Sequence, residues 1–173
     1  MVESRPGAFL DRDGVINVDR GFVGRLSDFA LIDGAAEAIS LLNRSGYLVF
    51  VVTNQSGIGR GYYTEADFGA LTAYMTSLLA QHEAHIDDIR HCPFHPDATV
   101  ARYRAHHPWR KPSPGMILDL LGCWEVDVNS SFLIGNSIRD LEAAKAAGIE
   151  GYLFEGGNLL HFLRTIKPEL DRT

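Results

Sequence analysis

At 173 residues, 46% hydrophobic and 22% charged, the chain has the make-up of one ordinary domain spanning residues 1–173, long enough to bury a substantial core. No apolar stretch approaches the roughly 20 residues needed to cross a bilayer, and the first residues lack the basic, apolar and small-residue succession of a signal peptide, so the expected location is the cytoplasm. A formal net charge of −6 with no Lys/Arg run argues against sustained contact with a nucleic-acid backbone, which leaves a small molecule as the expected partner and a monomer as the default state.

Short apolar runs alternate with amphipathic helical patterns, the succession expected of βαβ units. Ala8, Phe9 and Leu10 read as the end of a first strand. Asp33 can cap a helix whose apolar stripe includes Ala35, Ala38, Ile39 and Leu42, and Gly46 closes it. Residues 47–52 are continuously apolar and rich in β-branching, as in a parallel strand buried on both faces. Thr64 opens a second helix with Phe68, Leu71, Tyr74, Met75, Leu78 and Leu79 at helical spacing, and residues 89–91 suggest a shorter strand. Phe132, Leu133 and Ile134 form another strand, followed by a helix over about 138–147 that ends at Gly148. Residues 151–154 read as a last strand and 158–166 as a terminal helix. The fold class is α/β, a Rossmann-like parallel sheet with helices on both faces.

The unusual polar residues fall beyond the carboxyl ends of these strands. Asp11 and Asp13 follow the first, Thr53 the second and Asn136 the strand at 132–134. In an open parallel α/β sheet the ligand crevice lies at those ends, so separate segments converge on one site.

The segment Asp11-Arg12-Asp13-Gly14-Val15-Ile16-Asn17 resembles the first motif of the haloacid dehalogenase (HAD) superfamily of phosphotransferases. Thr53, Lys111 in Arg110-Lys111-Pro112, and Gly135-Asn136 with Asp140 follow in the superfamily's order. The phrases Thr53-Asn54-Gln55-Ser56-Gly57-Ile58 and Arg110-Lys111-Pro112 followed by Gly115-Met116 are similar to the subgroup of heptose 1,7-bisphosphate phosphatases and histidinol phosphatases. The resemblance covers about residues 8–154.

The chemistry suits these residue types. Asp11 can attack phosphorus and form an aspartyl phosphate, and Asp13, two residues on in an extended segment, can protonate the leaving oxygen and then deprotonate water. Phosphoryl transfer demands positioning and charge stabilisation, so a cation must offset repulsion between Asp11 and an anionic substrate. The resemblance implies magnesium, held by the Asp11 carboxylate, the Asp13 carbonyl and the residue at 136. Lys111 supplies fixed positive charge, while the Thr53 hydroxyl and the backbone donors of Asn54 and Gln55 can hold phosphoryl oxygens. The resemblance also implies substrate contacts from Asp19, Arg20, Gly21, Phe22 and Ser56. Arg110 offers a planar fork for a second phosphate, against the plainer reading of a surface ion pair.

Taken singly, an Asp-x-Asp-Gly segment is an ordinary turn, Thr53 a strand-end hydroxyl and Lys111 a surface charge; their order along the strands promotes them. Gly57, Gly59 and Gly61 lack Walker spacing and read as loop flexibility. The stretch between residue 53 and Lys111 leaves no room for a separate cap domain.

Two departures stand out. Many members of the subgroup carry a zinc loop, Cys-x-His followed by Cys-x-Cys before the Arg-Lys pair. Here Cys92 is followed by Phe94, His107 and Trp109 at the other three positions. Zinc is not expected; the weak alternative is a rearranged set of Cys92, His95, His106 and His107. Without metal, Phe94, Tyr103 and Trp109 are the material to hold the loop. Asn136 stands where the family has an Asp that ligates magnesium, so weaker metal affinity is expected, with Asp140 one helical turn on able to compensate through a metal-bound water or Lys111. Two cysteines are too few for a disulfide framework and fit a reducing compartment.

The leading expectation is an enzyme that removes the 7-phosphate of D-glycero-D-manno-heptose 1,7-bisphosphate on the way to nucleotide-activated heptose for surface polysaccharide. Histidinol-phosphate phosphatase is the alternative enzyme. A non-catalytic phosphosugar-binding domain, suggested by Asn136 alone, is the alternative of another class.

Overall fold

The computed structural model describes residues 4–172. Five parallel strands, β1 (Arg5–Leu10), β2 (Leu48–Asn54), β3 (Asp88–Cys92), β4 (Val126–Gly135) and β5 (Glu150–Leu153), form one sheet in the order β3-β2-β1-β4-β5. Successive strand residues point to opposite faces, and both faces are covered. Ala8, Leu10, Val49 and Val51 pack with α1 (Ala35–Arg44), α3 (Glu65–Ala80) and α6 (Leu159–Ile166). Phe9, Leu48, Phe50 and Val52 pack with α4 (Gly115–Cys123) and α5 (Ile138–Ala146). This double burial is why β2 reads as an unbroken apolar run. Each fully buried Leu, Ile or Phe contributes about 1.5–3 kcal/mol.

The chain moves from β1 to β2 and β3 on one side, then crosses to β4 and β5 on the other. The order therefore reverses beside β1, which opens a crevice at the ends of β1 and β4.

Several element ends differ from the sequence reading. Gly34, not Asp33, caps α1, at φ +75 and without a side-chain hydrogen bond; Asp33 instead offers its carbonyl to the Leu159 amide at 2.8 Å. A left-handed turn there favours glycine. Thr64 does cap α3, in a reciprocal box with Asp67, and Asn158 caps α6 by accepting from the His161 amide. β2 continues through Thr53 to Asn54. β4 begins at Val126, before an irregular stretch that interrupts pairing: Pro6 pairs with Asp127, but Ala8 pairs with Phe132. Ser131 bridges the gap, its Oγ accepting from the Gly7 amide at 2.8 Å and donating to the Asp127 carbonyl at 2.6 Å. The polar run 127–131 hides the strand from any periodicity reading. α4, and the single-turn α2 (Ser56–Gly59), are also additions.

Among the described residues, no helix is long and apolar enough to cross a membrane.

Candidate active site

Asp11 leaves β1 with its amide donating to the Ile134 carbonyl at 3.0 Å, one rung beyond the strand, which sets its carboxylate between β1 and β4. The chain then curls instead of continuing extended: the Arg12 carbonyl accepts from the amides of Ile16 (2.8 Å) and Asn17 (3.1 Å). Gly14 makes the curl possible at φ +83, and a Cβ there would stand 2.0 Å from Asn136 Nδ2. Glycine thus lets the Asn136 amide lie against the backbone of the turn after β1.

Lys111 closes the floor of the site. Its Nζ lies 3.1 Å from Asp11 Oδ1 and 2.7 Å from Asp140 Oδ1, and it donates to the Val52 carbonyl at 2.7 Å. Asn54 fixes its backbone from both sides, donating to the Lys111 carbonyl and accepting from the Lys111 amide. The other oxygen of Asp140 accepts from the amides of Asn136 and Ser137 and from Ser137 Oγ. Burial works against the Asp140 carboxylate, but Lys111 and Ser137 hold its pKa below the usual carboxylate value. Burial pushes the Asp11 carboxyl up, to about 6; Lys111 opposes this, while Asp140 and Asp13 add to it. An additional cation beside Asp11 would favour its ionised, nucleophilic form.

Three donors converge on Asp13: Arg12 Nη2 (2.9 Å), Asn17 Nδ2 (3.0 Å) and Gln55 Nε2 (2.9 Å). Gln55 Nε2 also donates to Thr53 Oγ1 at 2.9 Å, while Gln55 Oε1 accepts from the Tyr63 hydroxyl. Burial raises the Tyr63 pKa well above its ordinary value, so the phenol remains a donor. The Tyr63 ring fits only because Gly24 and Gly57 lack side chains, a Cβ at either standing 2.2 or 2.3 Å from ring carbons. Gly57 and Gly59 therefore serve close packing within α2, and the reading of flexibility is corrected: a Cβ on Gly59 would meet the Pro93 carbonyl at 2.5 Å.

These groups border a cavity of about 410 Å³. It brings together Asp11, Asp13, Lys111 and Asn136 at one end, with Asn54, Gln55 and Ser56 beside them. Asp19, Gly21, Phe22 and Arg110 also reach it. Thr53 lies beneath the lining, with its hydroxyl held by Gln55. Arg20 is exposed and donates to the Asp28 carbonyl at 3.4 Å, away from the lining. Asp140 is fully buried behind Lys111. The sequence reading missed Arg60, Tyr63, His95 and Arg139 as lining residues, together with Asn17 as a support for Asp13. Arg60 sits among glycines that resembled a plain turn, and Tyr63 matched a core aromatic.

The loop at 93–114 is held by packing. Phe94 stacks on His107 with ring centroids 4.3 Å apart and meets Tyr103 edge-on at 5.6 Å; Trp109 meets His107 edge-on. Of the weak zinc set, Cys92 is buried in the core with α4, while His95 Nδ1 and His107 Nδ1 accept from the amides of Asp97 and Trp109. Among the described residues, no three or more His, Cys, Asp or Glu side chains are grouped to hold a metal ion.

Residues 108–161 match the HAD-hydrolase-like family. The chain is 49% identical over 168 residues to the D-glycero-β-D-manno-heptose-1,7-bisphosphate 7-phosphatase of Rhodopseudomonas palustris (strain ATCC BAA-98 / CGA009), covering 97% of this chain and 93% of that one. It is 43% identical to the enzyme of the same name from Escherichia coli (strain K12), over 86% of this chain and 78% of that one. Among solved structures, D,D-heptose 1,7-bisphosphate phosphatase from B. bronchiseptica, complexed with magnesium and phosphate, superposes with a TM-score of 0.80 at 35% identity, covering 92% of this chain and 86% of that one. A parallel sheet with Asp11 at the end of its middle strand, and a buried lysine beside it, thus defines a phosphatase, a hydrolase of phosphoric monoesters. The chain belongs to the HAD-hydrolase-like family, in the group of the heptose-1,7-bisphosphate 7-phosphatases.

Proposed function

We propose that the protein removes the 7-phosphate of D-glycero-D-manno-heptose 1,7-bisphosphate through an aspartyl-phosphate intermediate. The observation that carries this reading is the Lys111 ammonium set between Asp11 and Asp140 on the cavity floor. Asp11 attacks phosphorus, the bond from phosphorus to the sugar oxygen breaks, and that oxygen takes a proton from Asp13. Asp13 then removes a proton from a water that attacks the phosphoryl group, which releases inorganic phosphate and restores the Asp11 carboxylate. The three donors around Asp13 occupy its oxygens in the arrangement described, so the acid role requires a side-chain turn that frees one of them. Lys111 and the backbone donor of Asn54 hold the phosphoryl oxygens, with Thr53 steadying the Gln55 side chain; the Gln55 amide, expected to share that role, instead donates to the Cys92 carbonyl at 2.8 Å.

The donor set fits magnesium. Asp11, Asp13 and Asn136 border one end of the cavity, no hydrogen bond of the Asn136 side chain competes there among the described residues, and carboxylate, carbonyl and amide oxygens all suit a hard cation. Such an ion would offset the charge between Asp11 and the substrate. Asp140 is committed to Lys111 and to the turn at residues 136–137, so it orients the site instead of ligating. The sugar end is received by Asp19, Gly21 and Phe22, and the remaining phosphate by Arg110.

The test is phosphate release from heptose 1,7-bisphosphate and from histidinol phosphate across a magnesium titration, with Asp11→Asn as the blank. The expected result is release from the heptose substrate that saturates with magnesium and vanishes in the blank. Faster release from histidinol phosphate would reverse the assignment. Binding of the heptose bisphosphate with no release at any magnesium level would mark a binding domain.

A further inference from the structure

Beyond Lys111, the cavity is lined by three arginines, Arg60, Arg110 and Arg139, and by His95. None of the three guanidinium groups forms an ion pair with a carboxylate among the described residues, although the chain as a whole is acidic. The hydrogen bonding around Arg60 and His95 is specific. His95 Nδ1 accepts from the Asp97 amide at 3.0 Å, so the neutral ring carries its proton on Nε2. That nitrogen faces Arg60 Nη2 at 3.4 Å, which sets donor against donor. Arg60 Nε is also buried without a partner. Two N–H groups thus face each other with no acceptor between them, and Arg60 carries a third that is unpaired, an arrangement that an anionic oxygen at the His95 Nε2–Arg60 Nη2 pair relieves. The Phe22 ring lies under the guanidinium at 5.7 Å and is itself met edge-on by Tyr62, which fixes the plane of the fork. Burial, followed by Arg110 and Arg60, holds His95 below its ordinary pKa, as expected where positive groups crowd.

We propose that Arg60 and His95 form, with Arg110, the seat of the phosphate that remains on the sugar, and that these two residues determine selectivity for a bisphosphate over a monophosphate. The proposal rests on the bisphosphatase reading above. α2 and its flanks then join both ends of the substrate: Gln55, just before it, holds Asp13, and Arg60, just after it, holds the distal anion.

Calorimetric titration on the Asp11→Asn background separates the two claims. Heptose 1,7-bisphosphate and heptose 7-phosphate are each titrated into that protein and into the same protein carrying Arg60→Met, Arg60→Lys or His95→Phe. The expected result is tighter binding of the bisphosphate to the background, a preference cut roughly tenfold or more by Arg60→Met and by His95→Phe, and partly restored in Arg60→Lys. A preference retained in both the Met and Phe variants would overturn the assignment of Arg60 and His95 while leaving the bisphosphatase reading intact. Equal binding of the two ligands by the background would overturn that reading and this inference with it. The His95 variant provides an independent answer if Arg60→Met fails to fold.

Discussion

Lys111 and Asp140 face each other at 2.7 Å with side-chain exposures of 1% and 0%. Water cannot take over from either partner, so losing Asp140 leaves the buried ammonium with only Asp11 at 3.1 Å and the Val52 carbonyl to offset it. Asp140→Ala is expected to lower stability by about 3–5 kcal/mol in chemical denaturation, well beyond the cost of losing the turn contacts to Asn136 and Ser137. A loss below about 1 kcal/mol would mean that Asp11 alone satisfies the lysine.

Gln55 holds Asp13 while being held by Thr53 and Tyr63. Gln55→Leu keeps the volume and removes every polar link, leaving Asp13 aligned by Arg12 and Asn17 alone. Turnover is expected to fall about 100-fold, with the larger part in kcat, because misplacement of a reacting group acts on the transition state. Steady-state kinetics check this, and a change confined to KM would contradict it.

Asn136 presents a neutral oxygen donor beside two aspartates at the proposed cation site. Asn136→Asp adds one negative ligand, and its magnesium affinity is expected to rise about 10–100-fold. Direct magnesium calorimetry tests this apart from turnover. Equal affinities in the two proteins would show that residue 136 makes no contact with the ion.

Asp88 provides a pH-dependent contribution far from the chemistry. It accepts from Trp124 Nε1 (3.1 Å), Arg90 Nη1 (2.7 Å) and the Ile89 amide (2.8 Å). Burial alone would raise its pKa, but these donors outweigh it and the net shift is downward. A carboxyl with a depressed folded pKa stabilises the fold above its unfolded value of 3.8, and the contribution is lost as pH falls through the folded value. Asp88→Asn should therefore cost about 1–2 kcal/mol near pH 7. The gap between variant and parent should close as the pH drops below the ordinary carboxylate range. Urea midpoints measured across that range are the check, and a gap independent of pH would attribute the loss to packing.

The central strands were legible because burial on both faces writes itself into sequence as unbroken apolar runs, as in β2. Asp11, Asp13, Lys111 and Asn136 were legible because each follows or faces a strand end, where few polar residues have a structural excuse. The start of β4 was not, because Ser131 replaces a missing backbone rung with a side chain, and no hydrophobic period marks such a repair. Asp33 looked like a helix cap because its residue type suits that role, but tertiary contact with Asn158 and the left-handed Gly34 decided the turn. Arg60 escaped notice, and His95 was considered only for a zinc set, because their meaning lies in hydrogen-bond donors that face each other, a relation between distant segments that no local pattern encodes.

The ammonium of Lys111, carried on the loop before α4, draws its neighbours from three other stretches of chain: the turn after β1, the carbonyl of Val52 and the first turn of α5. Helices and the β1–β2 pair can form early from nearer contacts, but the polar centre closes only when the crossover to β4 has been completed. In refolding from denaturant, recovery of helical signal should therefore run ahead of recovery of hydrolysis. The time between them reports the slow docking of the last two strands onto the first three.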